Sequence, residues 1–98
     1  MANSNVAITC QEAFVQASTD PSLTAKQQLE AGEIAGIMAK HPRFSLLVEH
    51  AVLASYEHNK QTRLVGTIDW ASIVGWLMLN LPSAVESLLK LFALLGWA

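Results

Sequence analysis

Few side chains in this sequence can do chemistry, and their spacing limits what they can do. Cys10 is the one cysteine, and His41, His50 and His58 are the three histidines. A zinc site needs converging ligands, which on one helix means a spacing of three or four residues. His50 and His58 are eight apart and His41 lies before a proline, so even with Glu49 and Glu57 they form no metal signature. Cys10 has no base beside it in sequence and reads as a small buried hydrophobe rather than a nucleophile. A composite site assembled from Cys10, Glu49 and His50 remains the one enzymatic reading. No Gly-rich phosphate loop, Gly-x-Ser-x-Gly elbow or Cys-x-x-Cys pair occurs. The expectation is therefore a non-enzymatic chain with no cofactor, no metal and no small-molecule substrate.

A second pattern concerns close approach rather than catalysis. Gly32-x-x-x-Gly36 is offset by Ala31, Ala35 and Ala39, and small residues at this spacing let another helix come near. Mid-helix glycine costs about 0.5–1 kcal/mol against alanine, so two of them imply a contact. That contact is expected within the chain ahead of a seam between chains.

The elements that must carry these residues follow from punctuation. Asp20-Pro21, His41-Pro42, Val65-Gly66 and Leu81-Pro82 divide 98 residues into pieces of helical length. The first runs from about Val6 to Ser18, with Thr9 and Glu12 at capping-box spacing. The second starts at Thr24, with Gln27 in the box position, and continues through strong helix formers to Lys40. Proline disfavours the α region for the residue before it, so a third helix begins at Pro42 or Arg43 and reaches about Glu57. The polar run from His58 to Arg63 reads as a loop, and Leu64 to Ile68 as a short extended connection. Asp69 is a plausible cap for a fourth helix from Trp70 to Asn80. Ser83 and Glu86 have box spacing for a fifth ending near Leu95, with Glu86 and Lys90 paired at i, i+4. The expected fold is all-α: four or five short helices, the last two an apolar hairpin broken near Pro82.

Composition bounds what such a fold can be for. The chain is 52% hydrophobic and 14% charged, whereas roughly 25% charged is usual for soluble domains. The net charge is −2 with six Lys and Arg residues and no basic stripe, which argues against nucleic acid as a partner. Residues 1–5 lack the positive start and apolar core of a signal peptide, so synthesis in the cytosol is expected. A single cysteine excludes an intramolecular disulfide.

The apolar excess is concentrated at the end. From Trp70 to Ala98 the only charges are Glu86 and Lys90. As one membrane span, its twelve Leu, Ile, Val and Phe residues contribute roughly −4 to −7 kcal/mol to insertion. Glu86 and Lys90 near the midpoint cost about 2.5–3.5 kcal/mol each, and Asn80 and Pro82 add to that. The sum does not favour a single span. As two helices, the fourth is apolar nearly all round and needs cover on every side.

The chain therefore divides into residues 1–68, with a mixed polar surface, and residues 69–98, an apolar docking segment, within one domain overall. The leading expectation is a structural or assembly subunit, such as a small component of a viral particle or another multi-subunit complex. Its partners would be protein subunits, its own copies or other chains, and its anchors Trp70, Trp76, Leu77, Leu88, Phe92 and Trp97. The alternative is a small membrane-associated protein held by its C-terminal segment or forming a membrane oligomer.

Overall fold

Helix starts are set by the side chains that satisfy otherwise unpaired amides. In the computed structural model, which describes residues 8–95, the Glu12 amide donates to Thr9 Oγ1 (3.1 Å) and the Thr9 amide to Glu12 Oε1 (2.8 Å). This reciprocal box opens α1 (Cys10–Ala17). Val6, expected in this helix, lies outside the described residues. Thr24 and Gln27 close the same box, at 3.1 and 2.9 Å, at the start of α2 (Ala25–Lys40). Pro42 occupies the first turn of α3 (Pro42–Lys60), where its missing N–H costs nothing. Asp69 accepts from the Ser72 amide (3.3 Å) and hydroxyl (2.7 Å) and so caps α4 (Trp70–Asn80). The last helix, α5, spans Pro82–Leu95. The described residues contain five helices and no strand.

Two boundaries differ from the sequence reading, each for a local reason. α3 continues through His58 and Asn59 to Lys60 because its last turn is tied down. The Asn59 amide group donates to the Ser55 carbonyl (2.8 Å), and Lys60 Nζ sits 6.0 and 5.8 Å from the ring centres of Tyr56 and Trp76. Gln61 then stops the helix in the left-handed region (φ 51°). α5 starts at Pro82, one residue before the expected cap, so Ser83 is already inside the first turn. Glu86 closes no box with it and instead pairs with Lys26 of α2 (2.9 Å). Residues 64–68 form no strand; the Leu64 amide donates to the Glu57 carboxylate (2.8 Å), and Gly66 supplies the positive φ (77°) that turns the chain toward α4.

One apolar core joins all five helices. Phe14 from α1, Ile34 and Met38 from α2, Phe44, Val48 and Val52 from α3, Ile73, Leu77 and Met78 from α4, and Val85 from α5 are all buried in it. α4 lies against α1, α3 and α5, and α5 against α2 and α4. The described chain has a radius of gyration of 13.0 Å, about the 13 Å of a compact 100-residue domain. Residues from both sides of the expected division at 68/69 thus share one interior. Three helices of this short protein cover most of the fourth, and Leu79 is left 57% exposed.

Leu81 is held out of the α region (φ −132°, ψ 60°) by the proline that follows, and α4 and α5 meet at 99°. No single helix among the described residues is long and apolar enough to cross a membrane; only the bent pair together has the length and composition.

Candidate docking surface

The reactive side chains are dispersed. Cys10 is 1% exposed, and its thiol is pushed up to about 12, first by burial and then by the nearby negative charge of Glu49. At neutral pH it is a thiol packed in the core, not a thiolate. His50, one residue beyond Glu49 on α3, is exposed to solvent. Successive helical residues diverge by about 100°, so Glu49 and His50 do not share a direction. His41 is half-buried, its ring 5.0 Å from Phe92, and His58 is exposed near the far end of α3. No group of three His, Cys, Asp or Glu side chains among the described residues is placed to hold a metal.

The anchors expected from sequence are largely occupied inside the chain. Leu77 is 1% and Leu88 7% exposed, both in the core, which corrects their assignment to a partner-facing surface. Trp76 is half-buried and meets Tyr56 of α3 edge-on, with ring centres 5.2 Å apart. Phe92 is half-buried with its ring 5.1 Å from Phe44, and Trp70 is partly buried against the same core. Trp97 lies outside the described residues.

Nine large hydrophobic side chains face solvent among the described residues; Val15, Leu29, Val65 and Leu79 are scattered, and the other five are leucines of α3 and α5. Leu94 is 84% exposed, Leu46 57%, and Leu91, Leu95 and Leu47 about 40% each. Phe92 brings their two helices together, because its contacts with His41 and Phe44 set the last turns of α5 beside the first turns of α3. From that meeting point α3 and α5 leave a cleft of about 320 Å³. Val52, Leu77 and Leu88 form its floor, and Ala51, Ser55, Ala84, Ser87 and Leu91 its walls. Leu47 lies one turn before Ala51 and Leu95 one turn after Leu91, so the apolar surface extends beyond the cleft at this end. A signal for Leu94 was present in the sequence. Ser83, Ser87, Lys90 and Leu94 follow at steps of four, three and four, so Leu94 interrupts the polar edge of an otherwise amphipathic helix. Leu46 likewise falls between Arg43 and His50 on the outer face of α3.

The glycine pair faces away from the core. A β-carbon on Gly32 would meet Ser18 Cβ at 3.5 Å, an ordinary contact, and one on Gly36 would meet nothing within 4 Å. Gly32 thus sits beside the end of α1 without needing to be glycine, and Gly36 faces open space. Leu29, 71% exposed, stands in the same outward stripe as both.

No family model matches the chain, and no curated protein or solved structure is similar to it.

Proposed function

We propose that this chain is a non-enzymatic docking protein, a small helical body that attaches to something larger through the leucine pole formed by α3 and α5. The observation that carries this reading is the exposure of Leu46 and Leu47 on α3 and of Leu91, Leu94 and Leu95 on α5, two helices that Phe92 brings together. Several exposed leucines near an open apolar cleft are a usual mark of an interaction site. The neutral, buried Cys10 and the outward-facing His50 support a binding role over a composite catalytic one.

Magnitude limits how such docking works. The exposed fractions amount to two or three leucines' worth of surface, roughly 4–8 kcal/mol if wholly buried. Association costs about 4–15 kcal/mol in lost freedom. The leucines alone give weak attachment, so either many copies act together or a second attraction helps.

The test is the size of the body that carries the protein in extracts of cells producing it. The full chain should sediment with particulate material, and L91D/L94D should move it to the slow-sedimenting soluble fraction while its helicity and melting stay unchanged. A wild-type chain that sediments as a monomer would overturn the reading.

A further inference from the structure

Of the five helices, α5 is the one least bound to the rest of the fold. α1 buries four of its eight residues and α4 four of its eleven, whereas α5 buries two of its fourteen, Val85 and Leu88. α2 and α3 are also sparsely buried, but each is joined to other helices at both ends, while Leu81 is the one link between α5 and the other four. α5 lies on α2 and α4 and, except at Phe92, stands off α3, leaving the cleft of about 320 Å³ along that side. Ala51 and Ser55 of α3 and Ala84 and Ser87 of α5 line it, short side chains that leave the gap open. Among the described residues one ion pair ties α5 to another helix, Lys26–Glu86, whose side chains are 72% and 41% exposed. Near the far end, Phe92 rests against His41 and Phe44.

We propose that α5 is a hinged arm, which leaves the body as a unit about Leu81 and returns to it while α1 to α4 stay assembled. The hydrogen bonds around Leu81 place the hinge. The α4 ladder ends with the Leu81 amide donating to the Leu77 carbonyl (2.8 Å), and the Ala84 amide donates to the Leu81 carbonyl (3.0 Å) at the start of α5. Pro82 has no amide to carry the ladder across, so rotation about the Leu81 torsions breaks neither bond. On the body side, the Gln27 side-chain amide donates to the Met78 carbonyl (3.1 Å) and pins the end of α4 to α2. Opened, the arm bares Val85, Leu88 and Phe92 beside the already exposed Leu91, Leu94 and Leu95, and it uncovers Phe44. The motion belongs to the chain by itself, whatever its leucines meet.

Burial of Val85 and Leu88, with part of Leu89 and Phe92, favours the closed arm by on the order of 10³–10⁶-fold. A whole domain stands at about 10⁴–10¹¹ over its unfolded chain. The middles of these ranges differ by roughly 100-fold, in favour of the arm opening before the fold does. A helix of 14 residues is marginal alone in water, so its amides exchange once it leaves the body. The experiment is native-state hydrogen exchange on the full chain at low urea, read amide by amide. The α5 amides should be protected at least ten-fold less than those of α2 and α4. They should also show less than half the urea dependence, because opening bares only a small part of the buried surface. A second measurement separates swinging from unravelling in place. K40C/A93C, two exposed positions beside Phe92 at the end of the arm far from the hinge, is joined by a flexible bis-maleimide. The cross-link should raise α5 protection to that of α4, with the same variant before cross-linking as the control. Exchange of α5 and α4 at one level and one urea slope overturns the proposal, since the last two helices then open together. Low α5 protection that the cross-link leaves unchanged also overturns it, since the helix then unravels where it lies.

Discussion

Leu77→Ala is the perturbation that asks most directly whether the C-terminal helices belong to the same cooperative unit as the first three. Leu77 is 1% exposed and packed among α1, α3 and α5, and it also floors the cleft between α3 and α5, so its neighbours have some room to relax after truncation. Buried leucine-to-alanine changes cost about 2–5 kcal/mol, and a site bordering an open cleft belongs in the lower half of that range, at about 3 kcal/mol. The total stability of a domain this size is about 5–15 kcal/mol, and each kcal/mol moves the melting temperature by about 4–8 °C. Leu77→Ala should therefore lower Tm by about 12–24 °C. Leu94→Ala, at a position 84% exposed, should stay within about 0.5 kcal/mol of the parent. The assay uses two signals. All three tryptophans lie at position 70 or later, so their fluorescence reports the C-terminal part, while far-ultraviolet circular dichroism reports every helix. One cooperative unit gives coincident transitions that move together in the variant. An early fluorescence transition that alone responds to Leu77→Ala, with most helicity surviving it, would refute a shared core.

Three further outcomes follow from local geometry. Gly36→Ala should stabilise the fold by about 0.4–1 kcal/mol in urea titration, because the added methyl meets nothing within 4 Å and the unfolded chain loses freedom. Thr24→Ala removes an oxygen that accepts from the Gln27 amide and should cost about 1 kcal/mol in the same titration. Cys10, raised from 9.0 to about 12, binds its proton more tightly folded than unfolded, so it contributes no pH dependence below pH 9 and lowers stability as pH rises from 9 toward 12. Native protein should react with a disulfide reagent at pH 8 only as fast as it opens, and Cys10→Ser should flatten the alkaline fall in stability.

Much of the fold was readable because its signals are local. Thr9, Thr24 and Asp69 cap α1, α2 and α4 where their spacing placed them, and Pro82 breaks the apolar run. The end of α3 was not readable, since Lys60 stays helical through rings contributed partly by a residue sixteen positions later. Nor was the partner of Glu86, which chose Lys26 on another helix over Lys90 on its own. The docking surface was the hardest part. α4 is apolar on nearly every side, so its pattern does not show which side chains meet its own neighbours, and Leu77 proved to be interior. Residue size also misled: Trp76 and Phe92 are half-buried in ring contacts with Tyr56 and Phe44, while smaller leucines stay outside.

The seating of α1 between α2 and α4 governs the order in which the protein can mature on the ribosome. Ala13 and Ala17 face Ala71 and Gly75 across that contact, so more than fifty residues separate the two sides in sequence. At about 5–20 residues per second, synthesis leaves this flank of α1 without its partner for roughly 3–12 s. During that interval the nascent chain has nothing of its own to lay against it.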